Sequence, residues 1–165
     1  MRRLISMFVA AVFLGSGFFF TAHAQSQGHV VEALSEAHWG TAPPMLPAGA
    51  QIAVLAGDPT KAVPYTIRLK FPANYAIPAH SHPTDEHVLV ISGALTFGMG
   101  EKLLKDASGN KALSSGGFAL MPAHMNHYAY TGDQETTIVL YGQGPVEFKY
   151  VNPADDPGNR HRGAQ

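Results

Sequence analysis

The stretch HSHPTDEH, residues 80–87, sets two imidazoles one residue apart and follows them with an acidic pair and a third imidazole. Side chains two apart on an extended strand share a face, so His80 and His82 can meet one cation while Ser81 points away. Pro83 has no N–H to give to a ladder, so the strand bends or ends there. Thr84 and Asp85 turn the chain, Asp85 as a turn cap, and Glu86 opens the next strand. After its first residues that strand is apolar on both parities (Val88 and Val90, Leu89 and Ile91), which marks it as buried on both sides. A carboxylate buried at its start needs a compensating charge, and a divalent cation shared with His80 and His82 supplies one. His87 has the opposite parity and replaces Glu86 only if the register slips by one.

A fourth donor has to come from elsewhere. In GGFALMPAHMNHYAY, residues 116–130, an apolar strand runs to Met121, Pro122 begins a turn, and His127 starts the following strand. His127 is the candidate and His124, inside the turn, is its competitor. The chain has no cysteine, so any metal is bound through nitrogen and oxygen, and no disulfide staples the fold.

These residues need elements to hold them. Tyr65 to Phe71 alternates strictly, with Tyr65, Ile67, Leu69 and Phe71 on one face and Thr66, Arg68 and Lys70 on the other. Further strands are predicted over Gln51–Ala56, Glu86–Ile91, Leu95–Met99, Phe118–Met121, His127–Tyr130, Thr136–Tyr141 and Val146–Val151. Ser92-Gly93 makes a tight turn, and only Glu101–Lys105 reads as weakly helical. Many short strands with little helix predict an antiparallel sandwich or small barrel. Arg68 is expected to face solvent by parity. Trp39, the single tryptophan, is expected to cap the core where an N-terminal arm enters. Tyr128, Tyr130, Tyr141, Phe97, Met99 and Met121 come from strands that line or back the barrel.

The two segments together resemble the cupin family. Its first motif, roughly G-x5-H-x-H-x3-4-E-x6-G, is matched by His80, His82, Glu86 and Gly93, with Asn74 in place of the opening glycine. Its second, roughly G-x5-P-x-G-x2-H-x3-N, is matched by Gly116, Pro122 and His127, with His124 in place of glycine and Thr131 in place of asparagine. The short spacing from His82 to Glu86 is similar to that of zinc-binding cupin domains in some anti-sigma factors. The resemblance covers about residues 50–150. It implies an all-β fold, a double-stranded β-helix or cupin jelly-roll barrel, with one metal ion near a mouth held by His80, His82, Glu86 and His127. Three neutral imidazoles and a carboxylate suit Zn, Mn, Fe, Ni or Cu. It further implies either a metal-dependent enzyme of dioxygenase, decarboxylase or isomerase type, acting on a small oxygen-bearing molecule, or a non-catalytic metal-stabilised binding or sensor module.

The flanks carry other information. Residues 1–24 open with Arg2 and Arg3, continue with an apolar run from Leu4 to Phe20 and end on Ala22-His23-Ala24, which predicts a signal peptide cleaved before Gln25. The expected location is the periplasm or the exterior, with no membrane span kept after cleavage. Residues 25–49 are read as an arm, 50–151 as the barrel and 152–165 as a flexible tail. The mature chain holds 9 basic and 12 acidic residues, a net charge of −3, with no basic stripe, so nucleic acid is not an expected partner. A small-molecule ligand is expected, and the segment Val146–Val151 is a candidate edge for a homodimer.

Overall fold

The computed structural model describes residues 28–160, so the expected signal peptide lies outside the described residues. Strands β1 (Gly40–Thr41), β2 (Gln51–Ala56), β3 (Pro64–Phe71), β4 (Ala76–Ser81), β5 (Glu86–Ser92), β6 (Ala94–Met99), β7 (Lys111–Ser114), β8 (Phe118–Met121), β9 (His127–Thr131), β10 (Thr136–Gln143) and β11 (Lys149–Tyr150) follow one another along the chain. They form a six-stranded sheet in the order β1-β2-β3-β10-β5-β8 and a five-stranded sheet in the order β11-β4-β9-β6-β7. Every pairing is antiparallel. The chain crosses repeatedly from one sheet to the other, as a jelly-roll barrel requires.

The alternation in β3 is realised as written. Tyr65, Ile67, Leu69 and Phe71 point inward, with at most 5% of their surface exposed. They meet Val88 and Val90 of β5 and Ile138 and Leu140 of β10 from their own sheet, and Ile77, Leu95, Phe97 and Ala129 from the other. Each Leu, Ile or Phe so buried contributes about 1.5–3 kcal/mol, and this core stands in for the missing disulfides.

Several local expectations are revised. Arg68 faces outward, yet solvent does not surround it: the arm folds over that face, and Glu32 pairs with the guanidinium at 3.2 Å. Trp39 does not cap the core but lies on the same outer side, with the Lys70 amine 4.4 Å from its ring centre. Leu46 is the arm residue that enters the core. The stretch Glu101–Lys105 forms turns rather than a helix. Its carbonyls are taken by side chains instead: Leu104 accepts from Asn110 and Tyr128, and Lys105 from Asn110 and Tyr130. The last strand shrinks to Lys149–Tyr150. Pro145 cannot donate to a ladder, and the Val146 N–H is committed to the Pro59 carbonyl at 2.7 Å. Residues 153–160, expected to be loose, contain two short helical turns, the first capped by the Asn152 side chain.

Candidate metal centre

β4 and β9 lie side by side, and their register breaks between Ile77 and His80: Ile77 faces Ala129, then His80 faces His127. Three steps on one strand match two on the other, so this is a β-bulge. Ile77 and His80 both line the barrel interior although a regular strand would send them to opposite faces. The bulge reverses parity at the point where an apolar wall gives way to a buried imidazole. His82 follows just past the strand end and is buried as well.

Glu86 enters from the other sheet. It begins β5 between Met121 of β8 and Gly142 of β10. Glycine at that neighbouring position leaves room for the Tyr65 ring, whose hydroxyl lies 3.2 Å from where a Cβ of residue 142 would be. His80, His82, Glu86 and His127 are each less than 8% exposed. The two turns that carry them are tied together by Asp85, whose carboxylate accepts the Ala123 N–H at 2.8 Å, and by the His82 carbonyl, which accepts the His124 N–H at 2.8 Å.

The imidazoles are oriented by one repeated device. Nδ1 of His80 lies 2.7 Å from the Pro78 carbonyl, that of His82 2.8 Å from the Glu147 carbonyl, and that of His127 2.9 Å from the Met125 carbonyl. A carbonyl only accepts, so each Nδ1 carries the hydrogen and each neutral ring keeps its Nε2 lone pair free. One ligand atom from each of the three rings falls within 4.8 Å of the others. Nε2 of His82 is 3.3 Å from one Glu86 oxygen, without a hydrogen bond, and Nε2 of His127 is 3.8 Å from the other. Buried lone pairs facing a carboxylate repel unless a proton or a cation stands between them. This donor set, nitrogen and oxygen with outer-shell carbonyls fixing the tautomers, fits a divalent transition metal.

Burial sets the electrostatics. It pushes the pKa of His80 well below the ordinary imidazole value, helped by the nearby charges of His127 and His82. It lowers His82 and His127 too, against the opposing pull of the Glu147 carbonyl on His82 and of Glu86 on His127. Glu86 moves the other way: burial raises it to about 7, and the charge of His127 only partly offsets this. Neutral imidazoles are what a metal needs, and the carboxyl is the group with a proton to lose.

Phe148 packs against the cluster, stacked on His80 at 4.6 Å and edge-on to His82 at 4.6 Å. A cavity of about 20 Å³ abuts His80, Glu86, His127 and Phe148, room for one water. Its remaining walls are apolar.

The structure therefore brings His80, His82, Glu86 and His127 together and leaves their rivals outside. His124 is exposed in its turn. His87 points to the outer face and stacks on Tyr141 at 4.6 Å. Sequence reading missed Phe148, Glu147 and the bulge. Phe148 and Glu147 carried no signal in spacing, but Pro78 two residues before His80 was a hint of irregular strand.

A family profile described as the ChrR Cupin-like domain matches residues 27–147. No curated protein matches the chain. Among solved structures, the polyketide cyclase RemF from Streptomyces resistomycificus superposes with a TM-score of 0.60 at 14% identity, over 82% of this chain and 94% of that one. KdgF from Halomonas sp. gives 0.54 at 19% identity, over 72% and 96%. An RmlC-like cupin from Shewanella frigidimarina gives 0.54 at 13%, over 71% and 91%. At such identities these likenesses speak for the barrel alone. With the profile covering most of the chain and both motifs folded into one cluster, this protein belongs to the ChrR cupin-like family of the cupin superfamily.

Proposed function

We propose that this chain is a metal-binding cupin that holds one divalent transition-metal ion through His80, His82, Glu86 and His127 and uses it to take up a small oxygen-bearing molecule. One observation carries the reading: three buried imidazoles, each with its Nδ1 against a carbonyl, hold one ligand atom apiece within 4.8 Å of one another, with the Glu86 carboxylate beside His82 and His127. Bound there, a metal supplies Lewis acidity, and redox chemistry if it is a redox-active ion. The protein's part is to present four donors without rearrangement, to shut out bulk water with Phe148, and to keep Glu86 as the one donor that exchanges a proton. Export through the segment of residues 1–24 belongs to the same reading, as does pairing of two copies at β11, which ends its sheet.

A closed, non-catalytic metal module is the second reading, favoured by the single-water size of the inner cavity. Cobalt substitution separates the two. Weak d–d absorption from a five- or six-coordinate ion with exchangeable water supports the first, while intense four-coordinate bands unaffected by added small anions support the second. A protein that takes up no metal, or as much in the His82→Ala variant as in the parent, removes both.

A further inference from the structure

A second, larger cavity adjoins the metal side of the barrel. It measures about 70 Å³ and is lined by Met45, Leu46, Ile52, Ile67, Val146 and Phe148, among others. Leu46, Leu69, Leu140 and Phe148 also wall the small cavity beneath His80 and His127, so the two chambers are neighbours across those side chains.

The polar groups of this chamber are already used. Thr60 is its one polar side chain, and its hydroxyl donates to the Asp58 carboxylate at 2.6 Å. The Pro43 carbonyl accepts from Leu46 and the Pro59 carbonyl from Val146. The Met45 carbonyl accepts from the Tyr150 hydroxyl at 2.7 Å. Pro43 and Pro59 have no N–H to offer. A water entering here finds too few partners to replace those it leaves, whereas an apolar guest loses nothing. The volume admits only a few non-hydrogen atoms, since a cavity of roughly 150 Å³ takes up benzene.

We propose that this chamber binds the short apolar part of the ligand, whose oxygen-bearing end reaches the His80–His127 side past Phe148. The substrate class is then a small molecule with a polar head and a hydrocarbon tail of a few carbons. The head-group half of this inference rests on the metal reading above; the chamber half does not.

Xenon tests the chamber by itself, on the full folded protein without metal. In a crystal under xenon pressure, the gas is expected between Ile52, Val146 and Phe148, and lost in Val146→Phe. Ile52→Phe is the second variant, should the first fail to fold. Absence of xenon there, or unchanged uptake in a folded filling variant, overturns the proposal. The second arm uses acetate, propionate and butyrate on the zinc-loaded protein. Affinity is expected to rise about fourfold per added methylene until the chamber is full, and to stay flat in Val146→Phe. A flat series in the parent overturns the assignment of the tail to this chamber. Failure to load zinc while xenon still binds sinks the metal reading and the head-group half with it, and leaves the chamber standing.

Discussion

His80 and His127 face each other across the β4–β9 pair, with ring centres 4.4 Å apart. They come from two separate hairpins, and no hydrogen bond joins their side chains to each other; each ring is held from behind by the carbonyl of the residue two positions before it. Two buried imidazoles at this distance gain nothing from each other unless something binds both. Replacing either with alanine is expected to lower metal affinity by more than the roughly 10–100-fold typical of losing an outer partner. Titration against a competing chromophoric chelator measures it. A loss under tenfold would exclude that residue as a ligand.

The pH dependence should separate the carboxyl from the rings. In the metal-free protein, burial depresses all three imidazoles below their ordinary value of 6.5, so each gives up its proton at a lower pH than a free ring. Glu86, raised to about 7, still carries its proton there. Metal binding at pH 6 is expected to release the Glu86 proton, a contribution that fades toward pH 8 and that Glu86→Gln should remove. Calorimetry in buffers of different ionisation enthalpy reads it. Folding stability follows the opposite pair of signs. The depressed rings give stability that is full above 6.5 and falls on acidification, whereas the raised Glu86 carboxyl acts against them, adding stability as the pH falls from about 7 to 4.5. Below about 4.5 the carboxyl has no further gain to add, so the metal-free protein should weaken there as the contribution of the rings continues to fall.

Phe148 is half-buried and touches two of the rings. Phe148→Ala is expected to cost ~2 kcal/mol, less than a fully buried phenylalanine, and to speed metal loss to a chelator by at least about tenfold. Stopped-flow release kinetics would show it. Unchanged release would mean that the ring does not gate the site.

Gly98 gives a sharper structural test. A Cβ there would lie 2.1 Å from the Tyr128 ring, which is buried and anchored through its hydroxyl to Asn110. Gly98→Ala should therefore push Tyr128, the residue next to His127, out of place and destabilise by about 3 kcal/mol, read from the urea midpoint at unchanged slope. A cost near zero would show that the ring moves freely.

His124 adopts φ +64°, a left-handed backbone that suits glycine. His124→Gly should relieve about 1–2 kcal/mol of strain and lose part of it to the added freedom of the unfolded chain, for a net gain of roughly 0.5 kcal/mol. Thermal denaturation measures it, and metal content should not change.

That last residue shows how much of the site was legible in the sequence. Both departures from glycine in the two motifs, Asn74 and His124, sit at positive φ, so the motif's demand on the backbone was readable through the substitution. Thr131, in place of asparagine, is buried and accepts the Tyr75 N–H while donating to the Pro72 carbonyl, a role that spacing could not show. The strict alternation of β3 was plain because its two faces differ in chemistry. The bulge at Pro78–Ala79 was not, since parity counted forward from His80 agrees with either face. β7, mostly exposed, offered no pattern to read. Phe148 and Glu147 act through position in space, and nothing near them in the chain pointed to two histidines more than sixty residues earlier.

The Glu147 carbonyl that aims His82 crosses 65 positions of chain. During synthesis all four donors therefore emerge well before the group that steers one of them. A nascent barrel halted short of residue 147 would own all four side chains and still misdirect an imidazole, so the geometry of the cluster is completed late, with the closing segment rather than with the motifs.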